Sequence, residues 1–183
     1  MFEIKNILLR NGSNVTIRLI QQKDTEALFN YLNNLSAESR SRFGPHSFDK
    51  ETVYNICNNL TEDTQRFIAL SGEKIIAYML MKKGMIDADA QRYTQYNMFF
   101  DPSITITYAP SVADEFQNSG LGSKMFAHIL ERIKLQGFQK IILWGGVQAT
   151  NARAVHFYEK NGFTRIANFW HDDKDNIDMI LSL

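Results

Sequence analysis

One cysteine, Cys57, stands among 183 residues. That excludes an internal disulfide and favours a reducing compartment. Its setting, VYNICNNL, reads as an apolar helix face with no activating partner nearby, so the thiol is expected to be buried and inert. Long apolar runs are missing too. The longest, IIAYMLM, falls far short of the roughly 20 residues a membrane helix needs, and MFEIKNILLR lacks the apolar core of a signal peptide. A cytoplasmic protein with no membrane partner is the expectation. Charge of one sign is not in excess: 20 Lys plus Arg balance 20 Asp plus Glu, so nothing argues for a broad nucleic-acid surface. No pair of His, Cys or acidic residues has metal-ligand spacing, so no metal is expected. There is no repeat and no low-complexity tract.

What is present is core-forming material, 44% hydrophobic against 22% charged. A single domain over 1–183 is expected. NILLR-NGSN-VTIRLI reads as two strands around an Asn-Gly turn, with Val15, Ile17 and Leu19 on the buried face. Asp24 is placed to cap a helix carrying Leu28, Tyr31 and Leu32, and Asp49 to cap another over KETVYNICNNL. ESRSRFGPHSF reads as irregular. RFIALSGEKIIAYMLMKKG reads as a hairpin. MIDADAQRYTQYNMFFDPS fits neither period and reads as a long loop. ITITYAPSV is a strand, GLGSKMFAHILERIKLQG the clearest helix, FQKIILW a strand and TNARAVHFYEKNG a helix ended by Gly162. Two last strands flank the polar turn HDDKDN. His128, His156 and His171 read as surface positions. The order fits an α/β (α+β) fold with a mixed sheet and a central βαβ unit.

The chemistry concentrates in SVADEFQNSGLGSKMF, a glycine turn between a strand and a helix. Such a turn aims backbone N–H groups and the helix dipole at one point, which suits phosphate. Short glycine patterns are weak on their own. The dinucleotide fingerprint fails because Met125 stands where a third glycine belongs, and the ATP-type loop fails because the order is Gly122-Ser123-Lys124.

The pattern Gln/Arg-x-x-Gly-x-Gly does fit, at Q-N-S-G-L-G, followed downstream by N-A-R-A-V-H-F-Y-E-K-N-G-F. Here the chain resembles the GNAT superfamily of acetyl-CoA-dependent N-acetyltransferases, over nearly its whole length. The resemblance implies a sheet of about seven strands, mixed and mostly antiparallel, flanked by four or so helices and splayed at the cofactor site. It implies a pyrophosphate seat at Asn118, Ser119, Gly120, Leu121, Gly122 and Ser123, with Gln117 shaping the loop. It places the pantetheine arm along Pro110, Ser111 and Val112. Pro110 adds support of its own, since a residue without an N–H marks an edge, bulge or splay. Asn151 then contacts the cofactor arm. Tyr158, seven residues on and so on the same helix face, is the general acid for the departing thiolate. An amide near Val112 would steady the developing oxyanion.

One departure from the family pattern matters. Some members carry a carboxylate five residues before the motif Asn, where this chain has Gly146. The base is therefore open among Glu115, Asp101, His46 and solvent. His46, in RFGPHSF, is also a candidate for acceptor binding, because the family lines its acceptor pocket with that region. The acceptor is expected to be a small molecule or an exposed amine, and a homodimer through edge strands is possible. A sensor that binds acetyl-CoA without transferring acetyl is the alternative.

Overall fold

The computed structural model describes residues 4–183; the first three residues of MFEIKNILLR lie outside the described residues. In chain order come β1 (Lys5–Leu8), β2 (Asn14–Leu19), a 3-10 turn at Gln22–Asp24, α1 (Thr25–Asn34), α2 (Ala37–Ser41), α3 (Lys50–Asn58), β3 (Thr64–Ser71) and β4 (Lys74–Lys83). Then follow α4 (Asp87–Gln95), β5 (Thr105–Val112), a 3-10 turn at Asp114–Phe116, α5 (Leu121–Leu135), β6 (Lys140–Leu143), β7 (Val147–Gln148), α6 (Ala152–Lys160), β8 (Thr164–His171) and β9 (Lys174–Ser182). The sheet is mixed and mostly antiparallel, with β5 and β6 parallel. Among the described residues it has nine strands where about seven were expected. The two-residue β7 is too short to show a period.

Two compact units divide the chain. The first holds the residues up to Met81 together with Ala109–Leu130; the second holds Lys82–Tyr108 and Glu131–Leu183.

In the first unit the Asn-Gly turn closes the β1–β2 hairpin, with Gly12 at φ 83°. Val15 and Ile17 of β2 are buried, as are Leu28, Tyr31 and Leu32 of α1 and Val53, Ile56 and Cys57 of α3. Asp49 caps α3, its Oδ1 accepting from Thr52 N–H at 2.8 Å. Asp24 does not cap α1. Its own backbone is already helical, so the carboxylate turns back to accept from Gln21 N–H at 2.8 Å and to hold Arg18 at 2.6 and 2.7 Å. Part of the stretch expected to be irregular is the five-residue α2, capped by Ser36 through Ser39 N–H. Met125, Phe126 and Ile129 of α5 are fully buried, but His128 is not the surface residue expected, for its ring nitrogens are closed to solvent.

In the second unit β6 lies parallel to β5 and antiparallel to β9. β7 and β8 both pair with β9. The β8–β9 turn is only Asp172–Asp173, both at positive φ, so β9 begins three residues earlier than its apolar pattern. The long loop expected after β4 contains α4 instead. With α2, this gives six α-helices among the described residues where four or so were expected. Its inward face is built of Asp89 and Tyr93, both 0% exposed, so it shows no apolar period.

Candidate active site

β5 and β6 pair only from Thr105 to Tyr108, where Trp144 N–H donates to the Tyr108 carbonyl at 3.0 Å. Donors on one side of a strand alternate. Residue 110 would supply the next rung, and Pro110 has no N–H. On the other edge Ala113 N–H donates to the Ile76 carbonyl at 2.9 Å. The same alternation therefore aims the Val112 N–H away from β4. The Val112 carbonyl accepts from Gln117 Nε2 at 3.1 Å. Ser111 turns its side chain toward α1, with its Oγ 2.8 Å from the Tyr31 hydroxyl.

The turn after β5 belongs to the same unit. Asn118 sits at φ 62° and Gly120 at φ 85°, so two left-handed residues bend the chain into α5. Ser119 Oγ donates to the Phe116 carbonyl at 2.6 Å and accepts from Leu121 N–H at 3.3 Å. Lys124 N–H reaches back to the Gly120 carbonyl at 3.1 Å. The N–H groups of Gly122 and Ser123 come before that bond, in the turn that has no helical carbonyl to reach. A Cβ on Gly120 would meet nothing within 4 Å, so the turn faces open space. Behind it, the Asp114 carboxylate accepts from Ser36 N–H and Ser36 Oγ, both at 2.9 Å, and from Ser39 Oγ at 2.6 Å. Burial pushes this carboxyl up, but the hydrogen bonds from Ser36 and Ser39 outweigh it and hold the pKa below the ordinary value.

The second unit holds Asn151 and Tyr158. Asn151 is the N-cap of α6, its Oδ1 accepting from Ala154 N–H at 3.2 Å. Tyr158 is 6% exposed. Its ring meets Phe157 and Phe163 edge-on at 5.3 and 5.2 Å. Burial alone pushes its phenol well above the ordinary value. Asn161 and Phe163 N–H groups both donate to its carbonyl at 3.0 Å, which fixes the last turn of α6.

Of the candidate bases, Glu115 and His46 belong to the first unit and Asp101 to the second. Glu115 is exposed and bound to Lys74 at 2.7 Å, and that contact holds its carboxyl down. Asp101 is exposed and held down by Ser103. His46 is half-buried among Phe43, Phe48 and Tyr78. Its Nδ1 lies 2.8 Å from the Ser47 carbonyl, which can only accept, so Nδ1 carries the proton. Gly146 sits at φ 70°, and a Cβ there would stand 2.8 Å from the Ile177 carbonyl and from the Phe169 ring. No carboxylate fits at that position.

One cluster had no sequence signal. Arg92 of α4 bridges Asp89 at 2.6 Å and Asp178 at 2.6 and 2.8 Å, and its guanidinium lies 3.7 Å from the Phe169 ring centroid. Gly145 N–H donates to both Asp89 oxygens at 3.2 Å. Burial raises the Asp89 pKa against the opposing Arg92 contact. The stretch MIDADAQRYTQYNMFFDPS read as a loop and gave no hint of this cluster, because the partner at 178 is remote in sequence. Among the described residues no group of His, Cys, Asp or Glu is placed to hold a metal ion, and no helix is long and apolar enough to cross a membrane.

Comparison with known proteins bears on this geometry. The model of the acetyltransferase (GNAT) family matches residues 29–163. The [ribosomal protein bS18]-alanine N-acetyltransferase of Escherichia coli (strain K12) is 27% identical over 103 residues, which are 53% of this chain. The match spans about 60% of that curated relative's length. The GNAT domain of S. lividans PAT superposes with a TM-score of 0.78 at 18% identity, covering 98% of this chain and 97% of that one. An aminoglycoside acetyltransferase, AAC(6')-Ib, solved in complex with coenzyme A, superposes with a TM-score of 0.68 at 21% identity, covering 92% and 94%. Both structural likenesses are likenesses of fold.

Proposed function

The chain belongs to the acetyltransferase (GNAT) family, and from that premise we propose that it transfers acetyl from acetyl-CoA to a primary amine, working as one catalytic domain in the cytoplasm. The observation that carries the reading is the turn into α5, where a Cβ on Gly120 would meet nothing within 4 Å and the first-turn N–H groups have no helical carbonyl to reach. Backbone N–H groups at a helix start suit a pyrophosphate. Asn118, Ser119, Gly120, Leu121, Gly122 and Ser123 would hold it, and Pro110, Ser111 and Val112 would line the pantetheine arm. Asn151, whose Oδ1 caps α6, would offer its Nδ2 hydrogens to the arm. When bound, acetyl-CoA supplies an acetyl group on a thioester, which a neutral amine can attack.

The amine nitrogen bonds to the acetyl carbon as the carbon–sulfur bond breaks. Val112 N–H, aimed off the sheet edge, would steady charge on the carbonyl oxygen. Tyr158 would give its proton to the leaving sulfur; burial keeps that proton in place at neutral pH. The nitrogen's surplus proton would go to water, since neighbours hold the Glu115 and Asp101 carboxyls below their ordinary range and make both weaker bases. The relative named for alanine acetylation on a ribosomal protein makes a protein N-terminus one acceptor class to try.

A second reading, a sensor that binds acetyl-CoA without turnover, is favoured by the blocked position at Gly146. Thiol release from acetyl-CoA, measured across amino sugars, polyamines, amino acids and peptide N-termini, separates the two. Turnover with any amine supports the enzyme. Coenzyme A binding with no turnover across that panel would leave the sensor.

A further inference from the structure

In the second unit the chain leaves β6 through Gly145 and Gly146, at φ 66° and 70°. It then runs through β7 to Asn151, the N-cap of α6, the helix that carries Tyr158. Two adjacent glycines specify such a path loosely, because glycine admits many conformations. Contacts from outside the turn have to fix it. One side chain stands behind them. The Arg92 guanidinium of α4 binds Asp89 at 2.6 Å, and Asp89 accepts from Gly145 N–H with both oxygens at 3.2 Å. The same guanidinium lies 3.7 Å from the Phe169 ring centroid, and an edge atom of that ring stands 2.8 Å from the place of a Cβ on Gly146. It also grips Asp178 of β9 at 2.6 and 2.8 Å. β9 holds the rest of the path: Val147 and Gln148 pair with Ile177 and Asn176, and Ala149 N–H donates to the Asp175 carbonyl at 2.8 Å. Three arms from one guanidinium thus reach Gly145, Gly146 and the strand that pairs with β7.

Stability alone does not account for this cluster. Asp89 and Asp178 are both 0% exposed, and one cation faces two carboxylates. Gly145 N–H and the Tyr96 hydroxyl, 3.2 Å from Asp178, supply further donors. Taking three charges out of water is costly, and apolar side chains of the same volume often serve stability as well or better. What apolar packing lacks is direction. A planar guanidinium binds a carboxylate with its edge and stacks its face on an aromatic ring, so it fixes the angle between its partners. Here the partners are the groups that hold the two glycines and the strand beside them.

We propose that Arg92 is a positioning residue for the transfer site: through Asp89, Phe169 and Asp178 it sets the path from Gly145 to Asn151, and so the placement of Asn151 and of Tyr158 on α6. The proposal rests on the acetyltransferase reading for the roles of those two residues. Arg92 acts through its neighbours and needs no contact with acetyl-CoA. Asn151 is the point of transmission. Its N–H donates to the Gln148 carbonyl at 2.8 Å, and its Oδ1 holds Ala154 N–H at 3.2 Å in the first turn of α6. A path that slips at Gly145 or Gly146 therefore turns the cap and the helix behind it. A misplacement of about 1 Å in groups that position a reaction can cost about 10²-fold in rate.

The test uses the full chain with three substitutions. Arg92→Lys keeps the charge and loses the fork and the stack. Phe169→Leu removes the ring and leaves both ion pairs. Ile180→Val trims a buried β9 residue that clusters with Tyr93 and Ile142, and is the control for lost stability. Arg92→Lys is expected to shift the amide signal of Ala154 in a 15N-labelled chain. It is expected to lower kcat by roughly 10- to 100-fold while the KM for acetyl-CoA changes less than about tenfold. Phe169→Leu is expected to show the same pattern at smaller size, and it decides alone if Arg92→Lys does not fold. Ile180→Val is expected to lower the thermal midpoint and to leave kcat and the Ala154 signal as in wild type. An Ala154 signal unmoved in the folded variant overturns the proposal, and so does a kcat lowered no more than in the control. If the wild-type chain acetylates no amine, the transferase reading falls and coenzyme A affinity by calorimetry takes the place of kcat. Weaker affinity in the variant then keeps Arg92 as a positioning residue for binding, and unchanged affinity removes it.

Discussion

At the scale of single residues, glycines at positive φ separate positions kept for the fold from positions open to a ligand. Gly120 and Gly146 both need the left-handed backbone, at φ 85° and 70°. Only Gly146 also lacks room, with a carbonyl oxygen and a ring 2.8 Å from any added Cβ. Gly146→Ala should therefore lower stability by about 2–5 kcal/mol, combining backbone strain and overpacking. Urea unfolding measures it. Gly120→Ala should cost only the strain, about 1–2 kcal/mol. Gly120→Asp should leave a folded protein that no longer binds coenzyme A, because its carboxylate projects into the space expected for the phosphates. Unchanged affinity by calorimetry would remove the phosphate assignment. Tyr158→Phe is a different kind of change. It keeps the ring against Phe157 and Phe163 and removes only the acidic hydroxyl. Turnover should fall by roughly 10²-fold or more, with the KM for acetyl-CoA nearly unchanged. Wild-type turnover would take the acid role from Tyr158.

At the scale of elements, what could be read in advance depended on whether an element's burial is apolar. β2, α1, α3 and α5 bury Val, Ile, Leu, Met and Phe at regular spacing, and each stands close to where the period puts it. α4 buries Asp89 and Tyr93 and bridges a half-buried arginine to Asp178, so no apolar period betrays it. α2 is held by polar contacts as well. Its N-cap Ser36, and Ser39 one turn on, are both gripped by Asp114, next to the turn that leads into α5. The turn itself was legible, because glycine and proline act through the backbone and leave a mark in the sequence. The grip was not, because residues 36 and 114 are distant in the chain. Asp114 has a lowered pKa in the folded protein. Its stabilising effect is therefore full above its unfolded pKa, about 3.9, and is lost as pH falls through the folded value. Hydrogen exchange at the Ser36 and Ser39 amides, corrected for intrinsic rate, should rise below about pH 4. Asp114→Ala should show the raised exchange at all pH values, together with faster tryptic cleavage after Arg40 and Arg42. Exchange in the variant matching wild type at pH 7 would show that the carboxylate does not anchor α2.

At the scale of the whole molecule, the balance of charge decides how an anionic ligand can be held. With 20 basic and 20 acidic residues, the chain has no net field to gather coenzyme A. Seated as proposed, coenzyme A would draw its affinity from local N–H groups and from the sheet edge at Val112. A ligand held this way binds the folded chain alone, because the unfolded chain has neither a helix start nor a strand edge. Linkage then fixes the outcome: at 100 times its Kd, coenzyme A adds about 2.7 kcal/mol. For a chain of this size about 1 kcal/mol moves the midpoint by roughly 2–4 °C. Coenzyme A should thus raise the thermal midpoint by roughly 5–11 °C. An amine acceptor alone should shift it far less, and Gly120→Asp should abolish the coenzyme A shift. Absence of any shift at millimolar coenzyme A would count against both the enzyme and the sensor, since each needs the cofactor seated on α5. A shift without thiol release from any amine would keep the seat and discard the transfer.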